Sequence, residues 1–330
     1  KVRMIIVEEN TDNTTIKAVI PSGFYYVTGK PSTGLVISDR YGDDDNNSKG
    51  GNQFVWVPCS GDKGVIYEEK NGLAKTWKDN YSSKQWWYTN YQSGTDSNGN
   101  GIYSPIKGSW SDDGGKTSSV DTYGGFYIAR YEAGVPSNAP FYANTNGAKY
   151  ETSSKKNTDQ YIPVSKKNTP SWNYISQTNS KTVSENMYGG SKTIKSYLID
   201  GTAWDTITQW VSDSTKKSVT DSTAWGNYYN ANYTLKGLYA RHQGRTAKDN
   251  VWRWFPAYVY NNGSYTKGSE YTEVATGVTT EDEKRNTACN IYDMAGNMWE
   301  WTSETGKRGL TANDATNYAV LRGGSFSDGG

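Results

Sequence analysis

The apolar positions of this chain fall into short runs separated by long polar stretches. Val2 to Val7 read as a short strand, and residues 16–29 and 34–39 alternate as strands do, with Pro21-Ser22-Gly23 as punctuation. Phe54 to Pro58 and Phe126 to Glu132 are the clearest strands of the first half. Between them, residues 67–122 are polar and read as an irregular insertion. Helical spacing occurs in residues 172–187 and 204–213; in the second, Trp204, Ile207, Trp210 and Val211 share one face. Thr202 is placed to cap that helix. Residues 39–51 are rich in Asp, Asn and Gly and read as a loop. Residues 214–285 are again polar, with Trp252 to Tyr260 as a strand candidate, and no repeat period is evident.

Composition narrows the class. At 330 residues and 34% hydrophobic, the chain can bury a core as one elaborate domain or two. Basic and acidic residues balance at 35 and 34, which leaves no electrostatic footprint for nucleic acid or an anionic membrane. The 35 glycines, 27 tyrosines and 13 tryptophans describe a loop-rich protein with β-structure and not a helical bundle. Trp56, Trp204, Trp210, Trp299 and Trp301 sit in apolar patterned segments and are expected in the core. Tyr228, Tyr229, Tyr233, Tyr258 and Tyr260 lie among Asn and Gly and are expected at a recognition surface. Cys59 and Cys289 are far apart and read as unpaired thiols. No apolar run reaches membrane-spanning length. The chain begins at Lys1, which reads as a trimmed or processed start with any anchor upstream.

The segment Asn290-Ile291-Tyr292-Asp293-Met294-Ala295-Gly296-Asn297-Met298-Trp299-Glu300-Trp301-Thr302 carries the most chemistry. Asp293, Asn297 and Glu300 offer side-chain oxygens, and Gly296 allows a tight turn whose carbonyls point inward. Hard cations such as calcium take such a set; without a cation, Glu300 and Asn297 would simply hydrogen-bond the turn. Two other oxygen-rich runs are weaker. Asp43-Asp44-Asp45-Asn46-Asn47 lacks the twelve-residue calcium-loop pattern and reads as a solvated turn. Asp96-Ser97-Asn98-Gly99-Asn100-Gly101 opens like a calcium loop, but its twelfth position is Lys107, so it reads as an Asn/Gly turn.

The signature, followed by Leu321-Arg322-Gly323-Gly324-Ser325-Phe326, resembles the formylglycine-generating enzyme (sulfatase-modifying factor) family, which has a C-type-lectin-like fold. Gln53 to Pro58, Gly124 to Ala133, Pro163 to Trp210 and Trp225-Gly226-Asn227 resemble further parts of it, from about residue 50 to 326. Residues 1–49 are similar instead to a branch of bacterial surface proteins that carry this module. Variable proteins of diversity-generating retroelements belong to that broader group. The resemblance implies a structural calcium ion held by Asp293, the carbonyls of Gly296 and Met298, and Glu300. Asn230-Ala231-Asn232 lies roughly where the family holds a second calcium. The resemblance also implies a closing strand after the Arg-Gly-Gly-Ser segment.

The family's catalytic equipment is missing from the residues. The copper-dependent members use two cysteines shortly after Arg-Gly-Gly-Ser, because Cu(I) wants thiolates; here Asp328 stands about where the first would be. An iron site of three histidines cannot be built from His242 alone, and no Gly-x-Ser-x-Gly elbow supports a Ser-His-Asp triad. His242 reads as an exposed loop residue.

The expectation is a C-type-lectin-like α+β module at residues 50–330 with an N-terminal β extension at 1–49. It is read as a non-catalytic ligand-binding protein displayed on a cell surface or secreted, bacterial or phage-encoded. Ser303 to Asn317 read as a mobile loop crossing the top of the domain. Tyr228, Tyr229, Tyr318, Ser327 and Asp328 are placed at the rim of the ligand surface. The Glu-Pro-Asn and Gln-Pro-Asp tripeptides of many sugar-binding lectins are absent, which favours a protein partner. An enzyme of the same superfamily and a subunit of a surface appendage are the competing readings.

Overall fold

The computed structural model describes residues 4–12, 15–59, 67–68, 73–74, 90–95, 101–105, 116–134, 136–137, 142–144, 147–149, 161–167, 169, 171–172, 175–219, 221–226, 228, 240–245, 252–261, 264–267, 287–307 and 317–324. Helices and antiparallel sheets both occur, as expected for an α+β chain.

The first two strands, β1 (Ile5–Asn10) and β2 (Thr15–Ile20), form an antiparallel hairpin. Pro21 to Phe24 then turn, with the Phe24 amide donating to the Pro21 carbonyl at 3.1 Å, so the Pro21-Ser22-Gly23 punctuation divides residues 16–29 into two strands. β3 (Tyr25–Thr28), β4 (Val36–Ser38), β5 (Gln53–Pro58) and, after helix α1 (Lys116–Tyr123), β6 (Gly125–Ala129) build a four-stranded sheet in the order β6-β5-β4-β3. This sheet runs across residues 49 and 50. Helix α1 lies in the stretch read as irregular; its sequence carries no apolar stripe, so periodicity gave no sign of it.

Alternation along β5 sends Val55 and Val57 to one face and Trp56 to the other. Val55 and Val57 join Phe126, Ile207, Trp210 and Val211 in the main core. Trp56 joins Ala18, Ile20, Phe24, Leu35 and Ile37 in a second cluster under the N-terminal hairpin. Helix α2 (Gln177–Asn186) is capped by Ser176, and α3 (Gly201–Thr215) by Asp200, whose carboxylate accepts from the Ala203 amide at 2.7 Å. Thr202 is therefore not the cap: the extended backbone a cap needs occurs at Asp200, and Thr202 already lies in the first turn. The stripe read from the sequence is buried as expected, with Ile207 and Trp210 almost fully enclosed. Burial of each such side chain stabilises by roughly 1.5–3 kcal/mol.

Further along, β7 (Ala240–Arg245), β8 (Trp252–Asn261) and β9 (Ser264–Lys267) form a separate antiparallel sheet. His242 sits in β7 opposite Phe255, and so belongs to a strand and not a loop. Two hairpins end the described chain: β10 (Thr287–Ala288) with β11 (Ile291–Tyr292), and β12 (Glu300–Lys307) with β13 (Asn317–Arg322). Ser303 to Lys307 are thus strand and not loop, and Tyr318 lies within β13 opposite Gly306. Residues 308–316 lie outside the described residues.

Candidate functional site

The signature turn is wound through the left-handed region. Cys289, Asn290, Asp293 and Asn297 have φ of 50°, 65°, 62° and 67°, and Gly296 has 76°. Asn and Asp tolerate this region better than most residues, which explains their density here. The winding is tied to its surroundings: the Asn290 side chain donates to the Gly34 carbonyl at 2.7 Å, and the Gly296 amide donates to the Gly323 carbonyl at 2.8 Å.

Glu132 stands at the centre of this region. It follows β6, is buried, and accepts from the Ser171 hydroxyl at 2.8 Å, the Asn297 amide group at 2.5 Å and the Met298 backbone amide at 3.0 Å. Burial, then the charge of Asp293, pushes its carboxyl well above the usual carboxylate range despite those donors. Glu300 opens β12, and its Oε2 is buried with no hydrogen-bond partner, packed where a Cβ on Gly323 would fall. Burial raises its carboxyl well above the ordinary value, and the facing Glu132 carboxyl and the charge of Asp293 add to this. Asp293 itself is almost fully enclosed. Three acids thus crowd one buried region.

Arg130 organises the other side. It is 1% exposed. Its Nη1 donates to Gln53 Oε1 at 2.7 Å, its Nη2 to Asp45 Oδ1 at 2.6 Å and its Nε to the Asn290 carbonyl at 3.2 Å. The guanidinium carbon lies 5.6 Å and 5.4 Å from the ring centres of Tyr131 and Tyr292, which stack on each other. The Tyr292 amide completes the tie by donating to the Arg130 carbonyl at 2.8 Å. Neither Arg130 nor Glu132 was singled out from sequence. The available signal was a pair of opposite charges just after an apolar strand, where burial demands partners.

The carboxyls of Glu132 and Asp293 beside Glu300, and a buried Glu300 oxygen lacking a donor, are of the kind a hard cation takes. Among the described residues no three His, Cys, Asp or Glu side chains are gathered to hold one metal ion. The expected set draws only two side chains, Asp293 and Glu300, with carbonyls of Gly296 and Met298 for the rest, so it does not require such a triad.

The remaining expected residues fare differently. Tyr228 is not at a rim: it is 5% exposed, and its hydroxyl lies 3.0 Å from the Gly323 carbonyl and 2.9 Å from Ser222 Oγ. A Cβ on Gly226 or Gly324 would strike its ring, so the ring is wedged between the two glycine turns. Trp299 is not core but 53% exposed, because the irregular turn ends there and points its ring outward. Trp301 is half-buried and donates its indole N–H to the Ile175 carbonyl at 2.7 Å. Arg322 is buried and stands opposite Glu300 in the strand register. Tyr229, Ser327, Asp328, Asn230 to Asn232 and Asp96 to Asn100 lie outside the described residues, as does the side chain of Tyr318. The Asp43 run is a turn that is solvated in part: Asp44, Asp45 and Asn46 are exposed, whereas Asp43 and Asn47 are buried.

The signature and its companion turn are also what comparison picks out. Residues 223–329 match the sulfatase-modifying factor enzyme 1-like domain. The match spans the signature, both glycine turns and Tyr228; the resembling segments before residue 223 lie outside it. No curated protein and no solved structure matches the chain.

Proposed function

We propose that this chain is a non-catalytic ligand-binding protein, displayed on a surface or secreted, with a C-type-lectin-like fold stabilised by calcium. The observation that carries the reading is the state of the thiols. Neither cysteine is in a disulfide, both are buried, and burial pushes the Cys289 thiol up to about 12. A copper site or a thiol nucleophile needs accessible thiolate instead. Asp293, Glu300 and the carbonyls of Gly296 and Met298 would hold the calcium, which would neutralise buried negative charge. Recognition would fall to loops, with Tyr229, Tyr318, Ser327 and Asp328 as rim residues and a protein as the partner. Tyr228 drops out of the rim because it is buried.

The domain match and the raised carboxyls of Glu132 and Glu300 favour a second reading, an enzyme of the same superfamily. A purified sample exposed to copper, oxygen and a cysteine peptide separates the two. The binding reading predicts that the peptide's cysteine is oxidised no faster than in a protein-free copper control, and that calcium but no copper is retained after dialysis. Oxidation clearly faster than that control would overturn it.

A further inference from the structure

We propose that the cavity bordered by β6, the segment before α3 and the end of the signature binds a single-chain aliphatic carboxylate, a free fatty acid taken up as a monomer. The cavity measures about 660 Å³. Small-molecule sites occupy roughly 300–1,000 Å³. A packed interior leaves few voids larger than a water molecule, so a space of this size is not ordinary core. Its wall is built from side chains that keep part of their surface accessible. Tyr127 and Ile128 of β6, Leu198 and Ile199 before α3, and Met298 and Trp301 at the signature all line it and are all half-buried. Apolar groups thus meet the cavity from three separate parts of the chain.

The charge open to a ligand is of one sign. Three acids border the cavity, and none is offered to it. Asp200 is committed to capping α3, and Glu132 accepts from Ser171, Asn297 and Met298. The orphaned Glu300 oxygen is buried. The exposed charges of the lining are Lys192 and Lys195, and neither pairs with an acid among the described residues. An apolar wall with a positive rim asks for an aliphatic body and an anionic head. A sugar or a peptide would set unpaired polar groups against this wall, at a cost for each. An uncharged hydrocarbon would leave the lysines unused. Each methylene moved out of water favours uptake by about fourfold, so a chain of modest length suffices. The proposal goes beyond the binding reading above and does not depend on it.

Calorimetric titration of the protein with hexanoate, octanoate, decanoate and dodecanoate tests it, each kept below its micelle concentration. Saturable single-site binding is expected, with affinity rising about fourfold per added methylene until the cavity is filled. Lys192→Gln combined with Lys195→Gln should weaken decanoate by at least about threefold and leave decanol unchanged. Leu198→Trp, which fills the cavity, should abolish uptake of both while the melting transition stays in place. Absence of saturable binding, an affinity independent of chain length, or equal effects on decanoate and decanol in the lysine variant would overturn the proposal. So would association with phosphatidylglycerol vesicles without uptake of monomeric decanoate, which would put the lysines at a lipid surface instead. Should Leu198→Trp fail to fold, the chain-length series and the lysine variant decide.

Discussion

Two acidic turns, one at residues 39–51 and one at the signature, look alike in sequence and are opposite in physics. Asp43 collects donors: Ser38 Oγ at 2.9 Å, Asn47 Nδ2 at 2.8 Å, Gln53 Nε2 at 3.0 Å, and the amides of Lys49 and Gly51 at 3.0 Å and 3.2 Å. Burial works against its charge, but the donors from Gln53, Lys49, Ser38 and Asn47 together outweigh it and hold the carboxyl below its ordinary value. Such a carboxylate is complete without a metal. At the signature, Glu132 and Glu300 face each other and Asp293, and burial and mutual repulsion drive both carboxyls up. Counting acids in a sequence does not separate these cases; counting donors does.

Arg130 joins the two turns, since it holds Asp45 in one and the Asn290 carbonyl in the other. Arg130→Ala leaves buried acceptors unpaired and is expected to destabilise by about 3–5 kcal/mol in chemical denaturation. A loss below about 1 kcal/mol would show the turns to be independent. Asp43→Ala strips the acceptor from the first turn and should cost about 1–3 kcal/mol, with or without calcium.

The pH response separates the turns by sign. Asp43 has a lowered carboxyl, so its contribution is present above the ordinary range and lost as pH falls. Glu132 and Glu300 have raised carboxyls, so the folded state holds protons that the unfolded state releases above about pH 4.5. In chelator, melting temperature should therefore decline gradually as pH rises from about 5 to about 8. A flat or rising profile would contradict the crowding at the signature. The smallest effect belongs to Trp299: exposed as it is, Trp299→Ala should shift stability by no more than about 0.5 kcal/mol. A loss of several kcal/mol would return it to the core.

Much of this was legible in the residues where one element decides the outcome locally. The stripe of α3 and the alternation of β5 both lead to burial because their periods match their geometries. The signature was readable as a wound turn from its Asp, Asn and Gly content, and the domain match falls on it. What stayed hidden depends on distant partners. Glu132 matters through Asn297 and Met298, and Arg130 through Asp45 and Asn290, all far away in sequence. Tyr228 misled because neighbouring Asn and Gly suggest a surface, whereas its ring is received by glycines at 226 and 324.

The most direct test of the claim that the crowded carboxyls of the signature turn take a cation, while the Asp43 carboxylate is satisfied by its own donors, is a calcium titration followed by thermal melting after exhaustive chelation. The account predicts that saturating calcium raises the melting temperature by about 5 °C or more at neutral pH. It predicts the same rise in Asp43→Asn and little or none in Glu300→Gln. A melting temperature indifferent to calcium in the unsubstituted chain, or an undiminished rise in Glu300→Gln, would contradict it.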